Sequence, residues 1–345
     1  MKLLYGGLDV GSSSCHFTAL NGRGKVEVST KVPTSELHIT ALLSSFKPHE
    51  KLRLHLEASE LSMWIRTVVI ERVPNVEDVV ISDPKRMMWI TRDPQKNDRV
   101  DSLKLANLLR LGTTHPVYFT DDVQMSSFKK CVQHHEGLVK ERTQSKNKIK
   151  ARLRWLGIII KNDRPFRKGQ RQVILSEIKE PTHREDIEDL YALLDQKEQM
   201  CRRAEKRMKK MSKNWPIIEK FMGVPGIGLV LACRFVAYIQ TPWRFSTKRK
   251  LWKFCSLGIT DRSSDGKSLG YRRLDRNGVS ALKGLSSTAF RIAKGRAEDN
   301  SFKRTYYKSL RNTNNADHAR LTVQRKIVTV LWTMWKKNER YDAEK

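Results

Sequence analysis

The sequence predicts an α/β plus α protein: a mixed α/β unit first, a pair of long helices next and a mostly helical unit last. Three observations carry this expectation. Strand-like runs alternate with helical ones over the first third of the chain. A 4-3 apolar rhythm then fills the middle, and a glycine-rich turn followed by amphipathic segments occupies the remainder. At 345 residues and 39% hydrophobic content the chain is long enough to build more than one core.

In the first part, residues 3–10, 15–20, 25–32, 52–57 and 79–82 read as strands, and 35–46, 61–69 and 98–111 as helices. Hairpin-forming strands followed by strand-helix alternation suit a ribonuclease-H-like sheet. The middle carries one seam through Phe128, Val132, His135, Val139, Arg142, Lys146, Ile149, Leu153 and Leu156. A second runs through Ile187, Leu190, Leu194, Lys197, Cys201, Ala204, Met208, Met211 and Trp215. Two helices folded back on each other, an antiparallel coiled coil, are expected. Thr182 with Glu185 reads as a capping box for the second, and Pro216 as a break at its end. Residues 161–181 between them, with Pro165, Gly169 and basic side chains from Arg164 to Lys179, read as an exposed loop able to touch phosphate. From Ile217 the pattern is compact and mostly helical, ending in an apolar helix at 320–335. The expected boundaries are 1–120, 121–216 and 217–345.

Charge narrows the function. Sixty-seven Lys and Arg against 37 Asp and Glu give +30 and a pI near 10.1, so a polyanion is the expected partner and nucleic acid the first choice. A membrane partner would need an amphipathic face, a lipid anchor or a long apolar span, and none is seen. The start of the chain lacks the apolar core of a secretory signal. Five scattered cysteines without a C-x-x-C pair argue against zinc and against disulfides, which fits a bacterial cytoplasm and a nucleoid-associated role.

Four carboxylates stand out. Asp9 ends the first strand in G-L-D-V-G-S-S, Glu57 ends a later one in L-H-L-E-A-S, and Asp98 and Asp101 open a helix in K-N-D-R-V-D. In a ribonuclease-H-like sheet the two strands are neighbours, and residues three apart on a helix share a face. Converging carboxylates are the donor set for Mg²⁺, which takes oxygen ligands and can act on a phosphodiester. Taken singly, each acid is better read as flanking a turn or favouring a helix N-terminus; taken together in this order, they favour a metal site.

Further on, Ser263 and Ser264 lie in a polar turn with Arg262, Lys267, Arg272 and Arg273 nearby, and such cations can hold a phosphate in line for attack. Gly223 to Gly228 reads either as a hairpin whose Gly226 and Gly228 amides approach a DNA phosphate, or as a plain helix-helix turn. Trp243-Arg244-Phe245 and Trp252-Lys253-Phe254 are expected in the core before a nucleic-acid surface, and His134 and His135 in packing roles.

Asp9, Glu57, Asp98 and Asp101, then the long helices, then P-G-I-G and R-S-S-D-G-K, together resemble the DEDD transposases of the insertion-sequence one-ten type, relatives of the Piv DNA invertase. The resemblance runs across nearly the whole chain. It implies a RuvC-like domain using the four acids for Mg²⁺ and a transposase domain whose serine attacks DNA to form a phosphoserine link. It also implies a bridge RNA that pairs with donor and target DNA, and a homo-oligomer, dimer or tetramer, with sites shared between subunits. Ser264 aligns best with the nucleophile and Ser263 is the second choice. The chain departs from the family's S-S-G-G-K pattern at Asp265. Two other expectations stand beside this one: a junction-resolving nuclease that uses metal-activated water, and a non-catalytic nucleic-acid-binding scaffold.

Overall fold

The computed structural model describes the chain apart from residues 1, 48, 88–96, 121, 161, 265, 266, 276, 344 and 345, and apart from the side chains of 85, 168, 261–264, 267–269, 271 and 272. Two compact units result, 1–119 and 120–345.

In the first unit the described residues form a five-stranded sheet of β1 (Lys2–Val10), β2 (Ser14–Leu20), β3 (Val26–Pro33), β4 (Glu50–Glu57) and β5 (Val76–Ser82), in the order β3-β2-β1-β4-β5. The first three strands pair antiparallel; β4 joins β1, and β5 joins β4, in parallel. Parallel pairing requires crossovers, and helices α1 (Glu36–Ser44) and α2 (Ser62–Arg72) supply them. Leu4, Leu8, Phe17, Leu52, Leu54, Ile65 and Val69 form the core on that side.

A third helix, α3 (Asp98–Arg110), packs against β1, β2 and β4. It lies almost on the strand backbone: a Cβ at Gly7 would sit 2.0 Å from the Ser102 carbonyl oxygen and 2.5 Å from the Ala106 nitrogen. Only glycine permits this approach. Polar pins complete the seat. The Thr18 and Ser102 hydroxyls are 2.7 Å apart in a buried position. The fully buried His55 ring lies 2.8 Å from both the Leu105 carbonyl oxygen and the Ser82 hydroxyl. A carbonyl can only accept, so Nδ1 donates to Leu105 and Nε2 accepts from Ser82. Burial holds this imidazole below its usual pKa, which agrees with the neutral form.

The second unit opens with α4 (Val123–Trp155), α5 (Lys168–Ser176) and α6 (Pro181–Ser212). Ion pairs Lys197–Glu141 and Lys146–Glu198 lie at one level, and Arg152–Asp186 lies later on α4 but earlier on α6, so the two long helices are antiparallel. Three details differ from expectation. The buried face of α4 passes through Leu138 and Ser145, while Val139, Arg142 and Lys146 are only partly buried, because a long cation can lay its stem on the seam and keep its charge outside, as Lys146 does toward Glu198. Part of the expected loop is helix: Ile174, Leu175 and Ile178 bury against Ile149, Leu153, Ile187 and Tyr191. The capping box does not form, since α6 starts earlier, with Pro181 in its first turn, where a missing N–H costs nothing.

The rest of the unit is α7 (Ile217–Met222), α8 (Leu229–Ile239), α9 (Lys248–Phe254), the hairpin β6 (Ile259–Ser264) and β7 (Lys267–Leu274), then α10 (Ser280–Gly295), α11 (Ser301–Thr313) and α12 (Ala316–Lys337). One core, centred on Phe221, Phe235, Leu285, Phe302, Val328 and Leu331, also takes in Phe128 and Val132 of α4. Among the described residues no helix is long and apolar enough to cross a membrane.

Gly7→Ala is expected to cost about 1–3 kcal/mol, the usual penalty for forcing atoms into a filled site. Urea unfolding of the two proteins measures it, and an unchanged midpoint would show that α3 does not need this contact.

Candidate active site

Strand alternation decides where the acids go. Asp9 shares a face of β1 with Gly7, and Glu57 shares a face of β4 with His55. Gly7 and His55 both meet α3, so both carboxylates belong to the α3 side of the sheet. Leu8 pairs with Leu56 in the parallel register, which makes Asp9 and Glu57 neighbours at the strand ends.

The third and fourth acids arrive on the first turn of α3. Asn97 caps it, its side-chain oxygen accepting from the Arg99 amide at 3.0 Å. Asp98 lies 4.0 Å from Lys31 and Asp101 lies 3.5 Å from Lys104. Three of the carboxylates act on the fourth, Asp9. Burial first, then Asp101, Asp98 and Glu57, push the Asp9 carboxyl up to about 6. His16, opposite Asp9 in the antiparallel register, bonds Ser29 at 3.1 Å and is held below the usual imidazole range mainly by burial.

Such a cluster suits a hard divalent cation, because every donor is a carboxylate oxygen and the repulsion on Asp9 is what a cation relieves. Among the described residues no three His, Cys, Asp or Glu side chains gather closely enough to hold a metal ion as they stand. The repulsion felt at Asp9 reaches across the cluster without such close approach.

In the second unit Ser263 and Ser264 lie in β6, not in a turn: Ser263 pairs with Ser268 and Ser264 with Lys267. Their side chains, with those of Asp261, Arg262, Lys267 and Arg272, lie outside the described residues, as do Asp265 and Gly266. Arg273, on β7, is exposed. The hairpin's base is well anchored. The Asp275 amide bonds the Gly258 carbonyl at 2.9 Å, Arg325 Nε donates to the Leu257 carbonyl at 2.8 Å, and buried Asp275 lies 3.6 Å from Lys253.

The glycine turn divides into two parts. Gly226 is buried with φ +84, and a Cβ there would sit 2.1 Å from the Ala289 carbonyl oxygen, so helix packing accounts for that glycine. Gly228 is exposed at the start of α8, where no side chain caps the helix. Of the aromatic pairs, Phe245, Trp252 and Phe254 pack on the core, whereas Trp243 is 71% exposed beside Lys336. His135 is buried on α4, and His134 borders a groove between α4 and α6.

Two family models match these regions. The model for DEDD transposases of the IS110 type, described as Transposase, covers residues 6–156 and includes all four acids. The second, described as Transposase IS116/IS110/IS902 family, covers residues 218–307 and includes both serines and most of the glycine turn's helices. The chain belongs to the IS110 transposase family. No curated protein matches it. The transposase is therefore a DNA-acting enzyme, and DEDD membership implies a divalent metal.

The residues that seat the candidate acids, Gly7, Thr18, His55 and Ser102, are not marked out by residue type in the sequence. A polar residue between two leucines, as in L-H-L-E, was the available signal for His55.

The raised Asp9 carboxyl has a stability consequence. Its folded value of about 6 exceeds the ordinary 3.8, so its contribution is fully present below pH ~4 and is lost as pH rises through ~6. Asp9→Asn is expected to raise the melting temperature of the metal-free protein at pH 8 and to leave it nearly unchanged at pH 4. Calorimetry at both pH values checks this, and equal shifts would rule out charge repulsion as the cause.

Proposed function

We propose that the transposase exchanges DNA strands through a serine nucleophile, Ser264, working with a RuvC-like carboxylate site of Asp9, Glu57, Asp98 and Asp101. The observation that supports this reading is the placement of those four acids at one end of the sheet, near enough for Asp101, Asp98 and Glu57 to raise Asp9. The strand order β3-β2-β1-β4-β5, with two parallel pairings after two antiparallel ones, supports the RuvC-like assignment.

The acids would hold Mg²⁺, which when bound would offset their charge beside the phosphodiester and polarise its oxygens. The chain's own part begins at the hairpin. Ser264 Oγ loses its proton to a base and attacks phosphorus. One P–O ester bond forms to the serine as one P–O ester bond of DNA breaks and its oxygen leaves as a hydroxyl. The number of ester bonds is unchanged, so the reverse attack by a new strand's hydroxyl reseals DNA without an energy source. Arg262, Lys267, Arg272 and Arg273 are assigned to the phosphate, with Gly228 and the uncapped start of α8 as a further contact. Gly226, engaged with Ala289, is assigned to packing. Ser263 is the second choice for the nucleophile.

The three proposed parts are a RuvC-like domain at 1–120, a coiled-coil region at 121–216 and a transposase domain at 217–345. The antiparallel pairing of α4 and α6 supports the second. A groove of about 770 Å³ there is bordered by Arg203, Lys206, Arg207, Lys209, Lys210 and Lys213, a surface suited to a bridge RNA. Assembly as a dimer or tetramer, with acids and serine from different subunits, and action on donor and target DNA in a bacterial cytoplasm complete the reading.

The test combines the protein, its element's flanking transcript, Mg²⁺ and end-labelled donor DNA. A denaturing gel is expected to show a protein-DNA adduct that Ser264→Ala abolishes and Asp9→Asn reduces at least a hundred-fold. An adduct that survives Ser264→Ala would move the role to Ser263. Cleaved DNA with free ends and no adduct would instead favour the water-using nuclease.

A further inference from the structure

A pocket of about 390 Å³ lies in the second unit where the end of β7, the first turns of α10 and the start of α12 meet. Its size is within the range of small-ligand sites. Leu274, Ser280, Lys283, Ser287, Arg320 and Gln324 line it. Gln324 is the deepest of these polar residues: it is 2% exposed, and its Oε1 has no hydrogen-bond partner among the described residues. Buried amide oxygens are normally paired, so an unpaired one on a residue that lines a pocket points to a ligand that supplies a donor.

The surrounding groups describe that ligand. Lys283 is half-buried one turn into α10, and Ser280 begins that helix, whose Val279 N-cap leaves its first amides without a side-chain acceptor. Arg320 lies one turn before Gln324 on the same face of α12, exposed, with its guanidinium 3.0 Å from Asp317. The pocket wall thus offers cations, hydroxyls and helix amides on less buried residues, together with a buried carboxamide and the apolar Leu274. Cations and helix amides select an anion. A carboxamide, with one acceptor and one donor side by side, matches the edge of a nucleobase.

We propose that this pocket receives a single unpaired nucleotide of the DNA substrate, its base on Gln324 and its phosphate on Lys283 and Arg320. The proposal rests on the reading above only in taking DNA as the polyanion. It also gives a position. Leu274 is in the pocket wall, and Lys267, paired with Ser264, is seven residues back along β7. At ~3.4 Å per residue that separation is roughly 24 Å, or about seven base steps of B-form DNA. The pocket therefore engages a nucleotide set apart from the bond that is exchanged, and capture there would fix the strand's register at the serine hairpin. Holding a base out of its stack is the device by which nucleic-acid enzymes inspect single nucleotides.

Calorimetric titration of the full-length protein with deoxyadenosine monophosphate, deoxyribose 5-phosphate and adenosine monophosphate tests this. Wild type is expected to bind the deoxynucleotide at least ten-fold more tightly than the sugar phosphate. Gln324→Leu should erase that preference, whereas Lys283→Ala with Arg320→Ala, on the less buried side of the pocket, should weaken both ligands together. Equal binding of base and sugar phosphate by wild type, or a preference that survives Gln324→Leu, overturns the proposal. Adenosine monophosphate binding ten-fold more tightly than the deoxynucleotide would overturn the assignment to DNA in favour of RNA. Because no cleavage is involved, loss of base preference alongside a normal serine adduct counts against the pocket alone. Base preference without an adduct counts against the nucleophile alone.

Discussion

The acidic edge exists because α3 lies on β1 at a distance that excludes any side chain at residue 7. A strand and a helix normally stand apart by the thickness of their side chains. Here a helix carbonyl and amide meet the strand where a Cβ would be, and the first turn of α3 is brought down to the level of Asp9. Hydrogen bonds then set the helix along and across the sheet: Thr18 meets Ser102 from β2, and His55 meets Leu105 from β4. The same imidazole reaches Ser82 of β5, so one buried ring ties helix, β4 and β5 together. A neutral His suits this task, since it offers one donor and one acceptor and burial disfavours its charge.

Electrostatics in the two units run in opposite senses. The first gathers carboxylates until Asp9 is pushed up to about 6, with Lys31 and Lys104 answering the outer two. The second distributes cations over surfaces, and several of its acids are engaged in ion pairs such as Lys146–Glu198 between the long helices and Arg171–Asp195 between α5 and α6. For a chain of +30, the gathered carboxylates repel one another in the free protein, and a bound cation would offset that repulsion.

The long helices are also joined to the core that carries the serine hairpin. Glu136 on α4 pairs with Arg234 of α8 and accepts from the Tyr238 hydroxyl at 2.7 Å, while Phe128 stacks on Trp215 with ring centroids 4.4 Å apart. The α4 helix is therefore continuous with the C-terminal core at one end and with the small cluster of α5 and α6 at the other. Movement of the helical pair would be felt at the core through a half-buried ion pair and an aromatic stack.

The sequence by itself determined the strands, most helices and the polyanion partner, and it placed four candidate acids on strand ends and one helix start, because strand period and helix period are local properties. It also held the resemblance that the family matches bear out. The exact seam of α4, the helix within residues 168–176 and the burial of Gly226 against Ala289 were not legible, since each depends on what a distant segment presents. Gly7 and His55 look like ordinary strand residues until α3 is folded onto them. Likewise, Gln324 becomes a candidate ligand only when α10 and β7 enclose it. Periodicity records which face of an element is apolar; only the tertiary structure decides which backbone that face will meet, and how closely.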